Sequence, residues 1–301
     1  MLARSLGIEE QRKDRTTMNT LYISDLDGTL LQPNVELSAR TIRILNELIG
    51  QGVPFTVATA RSIASVRPIL RSVSIQLPII LMNGVCIYDL AKGEYLKVET
   101  FSKESTALLM SIISRHKLKG FAYTMKRGVM STYYEELSNR ALRDFYEERV
   151  RLYNKPFTRI EDFSSLAEEP LIYFTVMDTK ENLELVSSVV ENTPDLNSVM
   201  YKDNYSTDIW YLEIFSKNAS KYHAVTYLRE YLGAKHITCF GDNRNDLSLF
   251  EASDYRLAVA NAVEELRERA DAVIDSNIND GVALWLKFNA IKEGKPIEQN
   301  I

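Results

Sequence analysis

Apolar positions along this chain follow two rhythms. Leu21-Tyr22-Ile23, Val53 to Ala58 and Ile79-Ile80-Leu81-Met82 are short, nearly continuous apolar runs, the pattern of strands buried on both faces. Between them lie stretches with helical spacing: Ala39 to Ile49, behind the N-cap candidate Ser38 and ahead of Gly52, and Ser62 to Ser72, where Pro68 predicts a bend or a break. The alternation returns late in the chain. A helix is predicted over Ser220 to Leu232, strands at Ile237 to Phe240, Leu257 to Ala260 and Ala272 to Ile274, and a last helix from about Gly281 to Ile291. Strands alternating with helices through short connections predict an α/β fold around a doubly wound parallel sheet.

Between these halves the texture changes. Most of the sixteen tyrosines fall between Tyr88 and Tyr211, and Phe121 to Met125, Leu171 to Met177 and Ile209 to Ile214 suit antiparallel strands. Helical segments around Lys103 to His116 and Lys180 to Glu191 separate them. The pattern describes an α+β domain over residues 87–214 inserted into a core built from residues 20–86 and 215–301, with residues 1–19 as a mobile N-terminal extension.

Composition narrows the class. At 301 residues the chain exceeds a typical single core, and 45% hydrophobic residues can supply two. A formal net charge of -5, with both signs interspersed, offers no broad basic face and argues against a nucleic-acid partner. No segment approaches the ~20 apolar residues of a membrane-spanning helix, and the first residues lack the apolar stretch of a signal peptide. A cytoplasmic protein without a membrane partner, a monomer or weak homodimer, is expected. Cys86 and Cys239, far apart and each in an apolar run, read as buried free thiols.

The candidate chemistry sits where strands end. Asp25-Leu26-Asp27-Gly28-Thr29 follows the first strand, and its two carboxylates would project to the same side. Like charges so close need a cation between them or a proton on one. An acidic turn capping a helix would look the same in this segment alone. Thr59, just past the second strand, offers a hydroxyl for a phosphoryl oxygen, or a helix cap. Lys221 opens a predicted helix, where an ammonium could neutralise an aspartate and a phosphate, or simply face solvent. Gly241-Asp242-Asn243-Arg244-Asn245-Asp246 packs two carboxylates and amides behind an apolar strand, a set suited to a hard octahedral cation.

Taken together and in this order, Asp25-Leu26-Asp27-Gly28-Thr29-Leu30, Thr59, Lys221 and Gly241 to Asp246 resemble the four motifs of the haloacid dehalogenase superfamily of phosphatases. Ala58-Thr59-Ala60-Arg61, Met82-Asn83-Gly84, Asn218-Ala219-Ser220-Lys221, Ala258 to Ala262 and Asp280-Gly281-Val282-Ala283 resemble its Cof-type branch with a class IIB cap. The insert between Thr59 and Lys221 lies where that resemblance puts the cap. Asn243 and Ala60 stand where family members often have glycine. The resemblance implies a Rossmann-like core with an α+β cap domain, and Mg²⁺ as cofactor. It also implies that Asp25 attacks phosphorus while Asp27 moves the proton. Mg²⁺ would be held by Asp25, Asp242 and the backbone carbonyl of Asp27, with Asn245 and Asp246 orienting from behind. Thr59 and Lys221 would bind the phosphoryl oxygens, and Arg61 and Asn83 would lie near the leaving group.

The expected function is a Mg²⁺-dependent phosphomonoester hydrolase acting on small phosphorylated metabolites, sugar phosphates first. A phosphomutase or sucrose-phosphatase-like enzyme is one alternative, and a non-catalytic phosphometabolite-binding regulator is another. For the cap, Tyr123, Lys126, Arg127 and Tyr211 are candidate substrate contacts.

Overall fold

The computed structural model describes residues 18–202 and 209–293; the expectation of a mobile extension falls mostly outside them. In chain order, the first elements are β1 (Thr20–Ser24), α1 (Ala39–Gly50), β2 (Phe55–Val57), α2 (Ile63–Leu70), β3 (Ile79–Leu81), β4 (Cys86–Asp89) and β5 (Glu94–Val98). There follow α3 (Lys103–His116), β6 (Gly120–Lys126), β7 (Val129–Tyr134), α4 (Arg140–Tyr153), β8 (Thr158–Arg159), β9 (Leu171–Asp178), α5 (Lys180–Glu191), β10 (Leu196–Lys202) and β11 (Trp210–Ser216). The last are α6 (Lys221–Leu232), β12 (His236–Gly241), α7 (Leu247–Glu251), β13 (Tyr255–Val259), α8 (Glu264–Arg267), β14 (Ala272–Ile274) and α9 (Gly281–Glu293).

The core is a five-stranded, all-parallel sheet in the order β14-β13-β12-β1-β2, the doubly wound arrangement that the apolar runs predict. Strands β1, β2 and β12 are buried along nearly their whole length, which is why they read as unbroken apolar runs, whereas edge strand β14 leaves Val273 exposed. Helix α1 begins where Ser38 accepts a hydrogen bond from the Thr41 N–H. It buries Ile44, Leu45 and Leu48, each worth roughly 1.5–3 kcal/mol of transfer free energy. An isolated parallel bridge from Ala58 to Ile80 attaches the antiparallel trio β3-β4-β5 to the edge at β2. Helix α2 is shorter than its sequence pattern, and Pro68 sits inside its final turns. There the missing N–H costs one helical hydrogen bond.

Residues 120–216 form a second, six-stranded sheet in the order β10-β11-β9-β6-β7-β8, antiparallel except for the β7–β8 pair. Helix α5 packs on β9, β10 and β11 with α3 beside it, while α4 touches β9 and leans on core helix α2. Helix α4 is not among the elements expected from the sequence. Only Leu142 and Phe145 are buried along it, although Leu142, Phe145, Tyr146 and Tyr153 recur at helical spacing within a segment that is otherwise mostly charged. Cys86 and Cys239 are buried free thiols, as expected. Among the described residues, no helix is long and apolar enough to cross a membrane.

Candidate active site

Parallel pairing lines up the carboxyl ends of three neighbouring strands. Ser24 of β1 stands level with Val57 of β2 and Phe240 of β12. The residues just past those ends are therefore neighbours too: Thr59, Asp25 and Asp242 follow β2, β1 and β12 respectively. The chain passes from one side of β1 to the other here, the switch point where open α/β sheets hold their ligands. The Asp25 N–H donates to the Phe240 carbonyl at 3.0 Å and the Thr59 N–H to the Ile80 carbonyl at 3.0 Å, so both turns are fixed by backbone.

Lys221 reaches this crevice from the first turn of α6. Gly84 sets its approach: a Cβ there would lie 2.0 Å from the Ser220 carbonyl oxygen, and φ is +97°. Only glycine lets the turn after β3 sit directly on the start of α6. The Lys221 ammonium is fully buried and donates to Asp25 and Asp246, each at 2.6 Å. The other Asp246 oxygen accepts from the N–H groups of Asp242 at 2.9 Å and Asn243 at 3.1 Å. Thr29 donates its hydroxyl to Asp242 at 2.9 Å. Arg61 grips Asp27 with two bonds of 2.6 Å and also reaches the Tyr153 hydroxyl at 3.3 Å.

Asp25, Asp242 and Asp246 bring one carboxylate oxygen each to within 4.8 Å of one another. All are buried; the Lys221 ammonium bridges Asp25 and Asp246, and Asp242 accepts from Thr29. Burial, then repulsion from Asp246, lifts the Asp25 carboxyl to about 8 despite the opposing pull of Lys221. Burial and the Asp246 and Asp25 charges lift Asp242 well above the usual carboxylate range. Burial alone would lower the Lys221 ammonium, but Asp246 and Asp25 more than offset it and raise it. The surplus is negative, and a divalent cation taking oxygens from Asp25 and Asp242 fits it.

The model of the haloacid dehalogenase-like hydrolase family matches residues 22–286. Phosphatase YwpJ of Bacillus subtilis is 28% identical, the match covering 89% of this chain and 98% of that protein. Pyridoxal phosphate phosphatase YbhA of Escherichia coli is 23% identical, over 91% of this chain and 100% of its own. The subclass IIB sugar phosphatase BT4131 shares the fold with a TM-score of 0.71 at 18% identity, over 91% of this chain and 100% of that one. The chain belongs to the haloacid dehalogenase-like hydrolases. It is an enzyme of their phosphatase type, with a cap of the subclass IIB shape.

In this hydrolase the cap closes over the crevice and leaves a cavity of about 420 Å³. Asp25, Asp27, Arg61 and Asn245 line its core wall. Thr59, Lys221, Asn83 and Asp242 stand behind that lining, each buried. Asn83 connects core to cap: its amide donates to the Tyr173 hydroxyl at 3.0 Å and to Glu213, and it accepts from Asn245 at 3.3 Å. Tyr123 and Tyr211 line the cap wall, as their candidacy required. Lys126 and Arg127 are absent from it: they sit at the β6–β7 turn, Lys126 in an exposed ion pair with Glu169 and Arg127 at φ 53° beside Gly128.

Glu213, Tyr173, Tyr201, Arg149 and Lys155 also line the cap wall, with Glu148 and Arg151 of α4 among their neighbours, and none of them was a sequence candidate. One signal was available: Glu213 is a lone carboxylate within the apolar strand Leu212 to Phe215. Burial pushes it up to about 7, while hydrogen bonds from Tyr173, Tyr201 and Asn83 pull the other way.

Proposed function

We propose that this hydrolase is a Mg²⁺-dependent phosphomonoesterase acting on small phosphorylated metabolites, sugar phosphates foremost, through an aspartyl-phosphate. The observation that carries this reading is the buried cluster of Asp25, Asp242 and Asp246 around one ammonium at the strand ends. Such a cluster suits a divalent cation, which would offset its surplus negative charge and, with Lys221, present positive charge to a phosphoryl group.

Asp25 is the nucleophile: its carboxylate oxygen forms a bond to phosphorus as the bond to the leaving oxygen breaks. Asp27 gives its proton to that oxygen, then takes one from the water that attacks the aspartyl-phosphate. Inorganic phosphate leaves, and Asp25 returns as a carboxylate. Lys221 and Thr59 hold the phosphoryl oxygens on which charge collects. Asp25, Asp242 and the Asp27 carbonyl would hold Mg²⁺, which when bound supplies positive charge and Lewis acidity. Asp246, with its oxygens already taken by Lys221 and two backbone N–H groups, positions the lysine. Asn245 orients groups beside it. Asp27 must leave the Arg61 fork before it can carry a proton, and a substrate anion near Arg61 would open that fork.

Inorganic phosphate release from p-nitrophenyl phosphate and a panel of sugar phosphates, with and without Mg²⁺, tests the reading. Asp25→Asn should lower kcat by about a thousandfold or more. Equal activity in variant and wild type would remove Asp25 from the chemistry, and isomerised product without phosphate release would favour a mutase.

A further inference from the structure

The cap wall holds a cation that the reaction just described does not use. Lys155 follows α4 and is only 6% exposed, yet it lines the same cavity as Asp25 and Asp27. Its ammonium lies 4.5 Å from the centre of the Tyr123 ring and 5.0 Å from that of Phe157. Among the described residues, none gives it a hydrogen bond or an ion pair. Its neighbour Arg149 differs: that guanidinium pairs with Glu148 at 3.2 Å and lies over the Phe145 ring. Burial, then the Arg149 charge, pushes the Lys155 ammonium well below the ordinary lysine range.

Buried lysines are rare unless paired, because the lost hydration is only partly recovered from an aromatic face. A packing role would be filled better by methionine or leucine. An amine with no carboxylate bonded to it, facing a substrate cavity, is a group whose charged form a bound anion would stabilise. We propose that the substrate carries a second acidic group, a carboxylate or a phosphate, away from its scissile phosphoryl group, and that Lys155 binds it. This rests on the phosphatase reading above. Tyr123 would support the lysine from one face, and Arg149, already neutralised by Glu148, would add direction more than charge.

The test compares substrates matched except for their far end, at two chain lengths. Glycerol 3-phosphate is set against 3-phosphoglycerate, and glucitol 6-phosphate against 6-phosphogluconate and glucitol 1,6-bisphosphate. In the wild type, an acidic far end should raise kcat/KM by about tenfold or more at one length, carried mainly in KM. The carboxylate and bisphosphate arms show which acid is preferred. In Lys155→Met that ratio should fall to about one, whereas Lys155→Arg should retain most of it. Thermal melts confirm that each variant folds; if Lys155→Met does not, Lys155→Gln and the wild-type ratios decide. If p-nitrophenyl phosphate is hydrolysed but neutral and acidic far ends stay within about threefold at both lengths, the proposal falls. It also falls if the acid preference survives in Lys155→Met. No hydrolysis of any ester, p-nitrophenyl phosphate included, would instead sink the phosphatase reading beneath it.

Discussion

The core crevice and the cap wall each bury a lysine, and the two are held in opposite ways. Lys221 is fully enclosed and donates to two carboxylates at 2.6 Å. Lys155 is nearly as buried, yet rests against two aromatic rings and beside an arginine. The environment raises one ammonium and lowers the other. The difference follows from what each wall must recognise. A phosphoryl group is common to every substrate of such an enzyme, so the core can fix its charges in advance. The far end of the substrate differs from one enzyme to the next, so the cap leaves its charge to be completed by the ligand.

Removing Lys221 is the most severe way to break this comparison. Lys221→Met leaves Asp25 and Asp246 buried without their ammonium. Breaking a buried ion pair from one side costs about 3–5 kcal/mol, and transition-state charge on the phosphoryl oxygens loses its counter-ion. We expect kcat to fall by about a thousandfold and the denaturation midpoint to drop. Added Mg²⁺ should restore part of the stability, because a bound cation replaces some of the missing charge. Urea titrations with EDTA or Mg²⁺ would measure both; unchanged stability would mean that the carboxylates are not ionised in the crevice.

Gly84 tests whether Lys221 acts through its exact placement. In Gly84→Ala the new methyl meets the Ser220 carbonyl at 2.0 Å, at a φ of +97° that alanine adopts poorly. Strain of this kind costs about 1–3 kcal/mol, and any relief must move the start of α6. The expected result is a kcat loss of about tenfold or more, with a smaller change in KM. A variant that loses stability but keeps kcat would show that the Gly84 contact only supports the fold.

How much of each wall was legible in the sequence follows the same division. Asp25, Asp27, Thr59 and Asp242 each stand directly behind a short apolar run, and a parallel sheet gathers such positions at one edge. The doubly wound core was readable for that reason. The cap wall draws on β6, β9, β10, β11 and α4, separated by long stretches of chain. Its tyrosines have the look of packing residues, and Lys155 that of a surface lysine. Register between antiparallel strands decides which of them face the cavity, and register is a tertiary fact. Lys126 and Arg127 drew attention by charge, but the tight β6–β7 turn carries them away from the cavity.

Lys155 offers a smaller and opposite effect to Lys221. Replacing an unpaired buried ammonium by a hydrophobic side chain of similar length removes a desolvation cost and breaks no pair. Lys155→Met should therefore raise stability by about 1 kcal/mol, read as a higher melting temperature without substrate. Lower stability would show that the lysine has a partner on which the fold depends, and the contrast with Lys221 would fail.

Glu213 gives the finest test, because it joins the two walls through Asn83. Its folded carboxyl is raised from 4.5 to about 7, chiefly by burial. Below the unfolded value both states hold the proton, and the folded state keeps its full advantage. As pH rises from that value through the folded one, the unfolded chain ionises first and the advantage is lost. Wild-type stability should thus decline across this window by an amount to which Glu213 contributes about 3 kcal/mol. Glu213→Gln cannot ionise but can still accept from Tyr173 and Asn83, so its stability should change less. Melting curves recorded with saturating Mg²⁺ hold the crevice carboxylates in one state. The gap between variant and wild type should then widen in the variant's favour as pH rises through the window. A gap that stays constant would mean that Glu213 ionises as easily as an exposed glutamate, and that the cation left unpaired in the cap has a carboxylate within its electrostatic reach after all.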